Sequence, residues 1–312
     1  MKPRRSGTGR TRLRELGEDR LLQKLFRLLP TGSRVVRGTG DDAAIVAGPG
    51  TGDLLVLKTD CVVEGIHFKR STSPQAVGRK AMMRALSDFA AVSAVPEFAL
   101  VTLVIDGNSE LKWVTEMYRG LSRAARRFGV SIVGGETSDT RGPTVISLGV
   151  IGRVERNRWV SRAGGKSGDY LFVTGRLGNT LKQKHLDFTP RITESRWLTA
   201  NFRVHAMMDL SDGLGADLPR LARASGLGFE VERAALPLAA GATINRAIND
   251  GEDYELLFAI SPRESERLHR MWRRKFPRLP LTHIGSLNLQ SGPSRTGSIS
   301  NPQLKGGYVH FR

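Results

Sequence analysis

Nine of the 30 acidic residues of this chain gather in six small sets, each beside a Gly, Ser or Thr near the end of a strand-like or helical run. The sets are Asp41-Asp42, Thr59-Asp60, Ser87-Asp88, Glu136, Asp209 with Ser211-Asp212, and Glu252-Asp253. Adjacent carboxylates repel one another unless a cation or a hydrogen-bond network compensates. For any one set alone, a turn or a helix N-cap is the preferred explanation. Six sets in a chain of net charge +18 favour a metal site instead. Mg²⁺ takes one or two carboxylates together with water and substrate phosphates, so such groups drawn from separate loops suit a nucleotide bound through metal ions. Asp88 carries the argument to one residue. It lies three positions after Ala85 and seven after Ala81, bordering the apolar stripe of its predicted helix. A carboxylate there costs stability unless a core network or a metal pairs it.

The apolar runs between these sets alternate between strand and helix periods. Residues 19–29 read as a short helix ended near Pro30 and Gly32. Strands are predicted at Leu54–Val63, 98–105, 144–154 and, shorter, 130–133; helices are predicted at 75–94 and 110–128. Residues 157–168, rich in Arg, Gly and Ser, read as a domain boundary. Beyond it come strands at Tyr170–Thr174, 229–231 and 254–260, and a basic helix at 264–275. A helix over 217–224 takes Asp217 as its N-cap, with Pro219 in its first turn, and residues 288–303 read as loop. Mixed elements in both halves predict an α/β (α+β) fold. The expected division is a basic, disordered leader at 1–18, an ATP- and metal-binding α/β domain at 19–155, and a second α/β domain at 156–312.

Charge excludes less than it suggests. The 48 Lys and Arg outnumber 30 acids, and the excess sits mainly in the leader and in residues 263–278, where charge runs are usually a solvated surface. No apolar run approaches the roughly 20 residues that span a bilayer. A single cysteine excludes an internal disulfide and a thiolate zinc site, which fits a reducing cytoplasm. Cys61 itself, on an apolar strand, reads as core rather than nucleophile. Two phosphate-binding motifs fail. Gly38-Thr39-Gly40-Asp41-Asp42-Ala43 fits a dinucleotide fingerprint, but it sets paired aspartates against the pyrophosphate and precedes a strand. Gly165-Lys166-Ser167 resembles the end of a P-loop whose first glycine would fall at Val160.

Eight stretches together carry a resemblance: GTGDDAAIV (38–46), KTDCVVEGIHF (58–68), RKAMMRALSDFAAVSAVPEFALVTL (79–103), GGETSDTRGP (134–143), SRAGGKSGDYLFVTG (161–175), MDLSDGLGADLPRLARASG (208–226), NDGEDYELLFAI (249–260) and KGGYVHF (305–311). In that order they resemble the thiamine-monophosphate kinase family, of the superfamily that includes aminoimidazole-ribonucleotide synthetase and selenophosphate synthetase. The resemblance implies two domains of the aminoimidazole-ribonucleotide-synthetase-like fold, with the N-terminal sheet as the interface of a homodimer. It implies direct γ-phosphoryl transfer from ATP to thiamine monophosphate with several Mg²⁺ ions and no covalent nucleophile, chemistry that needs positioning and charge neutralisation. By position, Asp42, Thr59, Asp60, Asp88, Glu136, Asp209 and Asp212 would hold metal. Gly135, Glu136, Arg162 and Ser211 would contact the nucleotide, and His67, Glu252 and Tyr308 the thiamine substrate. Standing alone, His67 reads as a hydrogen-bonded structural residue and Tyr308 as a packing anchor.

The chain departs from the family pattern in places. Glu136 and Lys58 stand where Asp and a small hydroxyl residue are usual, Ala85 replaces an Asn, Val309 replaces an acid, and the segment 175–192 is short. An ammonium at Lys58 would either replace one cation or repel it. Two alternatives remain at this level. One is another ATP-using enzyme of the superfamily with a different small substrate. The other is a non-catalytic nucleic-acid binder, disfavoured because carboxylates in the cleft would repel phosphate without metal. No membrane partner is expected.

Overall fold

The structure, a computed structural model, describes residues 12–50, 52–180, 184–289, 298–300 and 306–308. It opens with helices α1 (Leu13–Leu16) and α2 (Glu18–Phe26), so part of the expected disordered leader is helical. The cause is local: the Glu15 side chain accepts the Arg12 amide at 3.1 Å ahead of a run of helix formers. The rest of the leader, residues 1–11, lies outside the described residues, as does Val309. Strands β1 (Val35–Arg37), β2 (Ala44–Ala47) and β3 (Leu54–Val63) follow as an antiparallel ladder.

Helix α3 (Pro74–Ala91) begins where Ser73 accepts the Ala76 amide and Pro74 takes the first helical position. From Val77 to Ala91 nearly every residue is buried, wider than the single stripe the sequence suggests, because α3 lies between two sheets. Strand β4 (Val95–Ile105), helix α4 (Leu111–Arg127), strand β5 (Ser131–Asp139) and strand β6 (Val145–Val154) complete the first sheet in the order β1-β2-β3-β6-β4-β5. All its pairings are antiparallel except β4 with β5. β5 extends well past the expected 130–133, since pairing with β4 carries it through Gly134, Gly135 and Glu136. Helices α3 and α4 cover one face of this sheet. On the other face Leu57, Phe98, Leu100, Val133 and Ile151 remain exposed.

The second half contains β7 (Tyr170–Thr174), α5 (Lys184–Asp187), α6 (Ile192–Asn201), β8 (Val204–Asp209), α7 (Leu214–Ala224) and β9 (Gly228–Glu232). Then come α8 (Ile244–Asn249), β10 (Leu256–Ile260), α9 (Ser265–Lys275), β11 (Leu281–Asn288) and β12 (Ser298–Ser300). They build an antiparallel sheet in the order β12-β9-β11-β7-β10-β8. β12 corrects the reading of 288–303 as loop: its backbone pairs with β9, a long-range contact. Residues 290–297 and 301–303 lie outside the described residues. β7, up to its last residue Thr174, and all of β10 are largely apolar because both faces are covered. Phe172 and Phe258 join the core around α3, while Val173 and Leu257 join a second core under α7. α7 starts at Leu214, with Gly213 before it at φ +100°. Asp217 is therefore not its N-cap: the buried carboxylate reaches back to the Asp212 amide at 2.9 Å, and Pro219 lies inside the helix.

Candidate active site

Three elements bring three carboxylates together. Asp42 follows the turn at Gly40, Asp88 lies in the last turn of α3, and Asp209 ends β8. One oxygen of each lies within 4.8 Å of the others, and all three side chains are buried. Each has a compensating partner. Arg162 clamps Asp42 with two bonds of 3.1 and 2.6 Å, Lys58 Nζ lies 3.0 Å from Asp88, and Ser87 donates to Asp209 at 2.6 Å. Compensation is incomplete. Burial first, then the Asp42 charge, pushes Asp209 up to about 6, and burial with the Asp209 charge raises Asp88 against the pull of Lys58. Burial lowers Lys58, but the charges of Asp88, Asp60 and Asp42 outweigh it and push its ammonium up to about 12. An all-carboxylate donor set of this spacing is hard-cation chemistry.

Asp88 and Asp209, with Asp41 beside the buried Asp42, form one wall of a cavity of about 520 Å³. Asp60, Arg84, Arg162, Ser211, Asp212 and Arg220 continue its lining, and α2 crosses it through Glu18, Asp19, Leu22 and Phe26. Asp19 holds α2 there, 3.2 Å from Arg223 and 3.6 Å from Arg220. Asp212 is ion-paired with Arg220. A second cavity of about 380 Å³ opens alongside, lined by Ile66, His67, Glu252, Gly307 and Tyr308. Arg84, Ser211, Asp212 and Tyr254 line both, so the two meet.

The second cavity is built around a buried ion pair. Lys80 Nζ, fully buried, lies 2.7 Å from Glu252 and donates to the His67 carbonyl at 2.6 Å. Burial opposes the Glu252 charge, but hydrogen bonds and charges from His185, Lys80 and Arg84 hold that carboxyl at about 2. His67 accepts the Val63 amide on Nδ1 at 3.0 Å. Burial first, then the Arg84 charge, lowers it to about 4, so the imidazole is neutral. Tyr308 lies at the mouth, its amide bonded to the Asp212 carbonyl at 2.8 Å. His67, Glu252 and Tyr308, expected together, are together.

Thr59, Gly135 and Glu136 are not in this cleft. Alternation along β3 points Lys58 and Asp60 to the helix-covered face and the exposed Thr59 to the other. Gly135 stands across β6 and β4 from Asp60, through Leu148 and Val101, about 14 Å away at ordinary strand spacing. Glu136 is exposed on that edge strand. Cys61 shares the Thr59 face, half-buried, its thiol pushed up by burial and by Asp60. Lys80, Arg84, Arg220 and Tyr254 were not singled out from sequence. Three of the charges that shape the cleft, Lys80, Arg84 and Asp88, recur every four residues on α3, a spacing that places them on one face.

This fold and cleft define a protein of the AIR synthase related class. The N-terminal domain of that class matches residues 40–154, and its C-terminal domain matches residues 161–276. The chain is 36% identical to a thiamine-monophosphate kinase of Rhodopirellula baltica, over 83% of this chain and 85% of that protein. It is 33% identical to that of Aquifex aeolicus, over 96% of this chain and all of the relative. A solved structure of AaThiL complexed with AMPPCP and TMP superposes with a TM-score of 0.81 at 32% identity, covering 96% of this chain and 99% of that one. The chain belongs to the thiamine-monophosphate kinase family.

Proposed function

We propose that the chain transfers the γ-phosphoryl group of ATP to thiamine monophosphate, giving thiamine diphosphate and ADP. The observation that carries this reading is the joining of two unlike cavities, one walled by buried carboxylates and one by His67, Glu252 and Tyr308. An oxygen of the acceptor phosphate bonds to the γ-phosphorus as the bond to the bridging oxygen breaks, its electron pair leaving on ADP. Asp42, Asp88 and Asp209, with Asp60 and Asp212 beside them, would hold Mg²⁺, which supplies positive charge to the donor phosphates. Arg162 keeps Asp42 oriented, and Lys58 holds Asp88 while adding a fixed cation to the wall. α2 supplies part of the wall through Glu18, Asp19, Leu22 and Phe26. The thiamine-monophosphate kinase activity by which the relatives are named, and the AMPPCP and TMP of the solved complex, support the same substrates. No described helix is long and apolar enough to cross a membrane.

Acceptor-dependent ADP release from the purified protein is the test. Thiamine monophosphate is expected to stimulate it, chelation to abolish it, and Asp209→Asn to lower kcat by about 100-fold or more. Turnover unchanged by chelation, or found only with a different acceptor, would remove this reading.

We further infer a homodimer through the uncovered face of the first sheet. Leu57, Ile151 and Phe98 lie side by side in register across β3, β6 and β4, with Leu100 in the next outward row. A contiguous apolar patch on a sheet face marks a contact surface.

A further inference from the structure

Lys80 and Asp88, at either end of the polar stripe on α3, are each paired: Lys80 with Glu252, and Asp88 with Lys58. Arg84, between them, is only partly engaged. Its Nε donates to Asp60 Oδ2 at 3.2 Å, and its Nη1 stands 4.0 Å from Glu252 Oε1. Nη1 is buried and, among the described residues, has no hydrogen-bond partner. The side chain lies where the carboxylate-walled cavity meets the His67 cavity, and it lines both. Asp60 on one side and Glu252 on the other fix its charge and orientation, while leaving N–H groups without acceptors at the junction.

We infer that Arg84 grips the phosphomonoester of the acceptor and neutralises it against the donor's γ-phosphoryl group. This rests on the kinase reading above. The two reacting groups are both anions, and a near-attack arrangement needs the reacting atoms about 3–3.5 Å apart. A cation fixed between them removes much of that repulsion. A guanidinium does so with direction, since its fork gives two parallel N–H bonds to two phosphate oxygens. Lys80 cannot serve, being buried under Glu252. Arg162 binds Asp42 through Nε and Nη2 and lines the carboxylate-walled cavity but not the His67 cavity, so it does not stand at the junction. Arg84 is therefore a contact residue for the acceptor, specific for phosphorylated over unphosphorylated alcohols.

The test compares wild type with Arg84→Met, Arg84→Lys and Arg84→Ala. Wild type inactive towards thiamine monophosphate would sink the kinase reading, and this inference with it. With wild type active, Arg84→Met should lower kcat/KM for thiamine monophosphate by about 100-fold, while the dissociation constant for ATP moves by less than about threefold. Added guanidinium ion should restore part of the lost turnover in Arg84→Ala, which a merely structural role would not allow. Arg84→Lys keeps the charge without the fork and should fall about tenfold below wild type. It also answers the question should Arg84→Met fail to fold. Acceptor parameters within about threefold of wild type in Arg84→Met or Arg84→Lys would overturn the proposal. So would equal losses for ATP and acceptor without guanidinium rescue.

Discussion

Glu252 shows how much structure a single site residue commands. It and Tyr254 both adopt left-handed backbone, φ +64° and +51°, which costs of order 1–3 kcal/mol each in residues with a Cβ. Backbone bonds to Ser211 and Leu210 at 2.7 and 2.8 Å hold both, and the Lys80 pair holds the Glu252 side chain. Lys80→Met should therefore destabilise the protein by about 3–5 kcal/mol in urea unfolding, because a buried carboxylate loses its principal counter-charge. Adding Glu252→Gln to it should recover part of that loss, and full additivity would contradict the pairing. A pH dependence follows from the same group. Its folded value, about 2, is below the ordinary 4.5, so its stabilisation is complete above about pH 4.5 and disappears as pH falls through 2. The urea midpoint of wild type should thus exceed that of Glu252→Gln at pH 6, with the gap closing towards pH 2. A gap of constant size would place the carboxyl's ionisation elsewhere.

Among elements, the crossing of α3 and α4 is set by two glycines. A Cβ at Gly78 would lie 2.0 Å from the Met117 carbonyl oxygen, and one at Gly120 would lie 2.0 Å from that of Gln75. Gly120→Ala should cost about 1–3 kcal/mol or more and lower Tm by several degrees, while Gly52→Ala, with open space around it, should stay within about 0.5 kcal/mol. Equal melting temperatures for the two would mean the helices can part freely. Neither glycine is distinctive in sequence, whereas the strongly periodic elements were legible: β3 and β7 fall where the sequence put them, and α3 and α4 within a few residues. β8 and β11 escaped because His205, Met207 and Gly285 do not read as strand, and tertiary pairing overrides that preference. At the site, Asp42, Asp88 and Asp209 were legible because buried carboxylates beside turn residues require a reason. Thr59, paired in sequence with Asp60, projects to the opposite face of β3, as a period of two requires. Arg84 was legible only as part of a stripe, since one arginine in so basic a chain carries no information.

Over the whole molecule, the excess of positive charge and the acidic cleft are not in conflict. Arg84, Arg162 and Arg220, with Lys58 and Lys80, are turned inward as fixed partners of cleft carboxylates, while the cationic last turn of α9 lies elsewhere on the fold. The apolar balance is the feature a single copy leaves unresolved. Helices α3 and α4 bury one face of the first sheet, and on the other Phe98 and Leu100 are each 46% exposed beside half-covered neighbours. Surface of this kind is worth about 25 cal/mol for each Å² removed from water, so packing these side chains on a second copy would offset part of the entropy of association. Sedimentation at micromolar protein should give the mass of two chains for wild type and of one for Leu100→Glu combined with Ile151→Glu. Both substitutions point away from the α3 core, so the double variant should keep its thermal unfolding cooperative. Wild type sedimenting as one chain throughout would remove the homodimer.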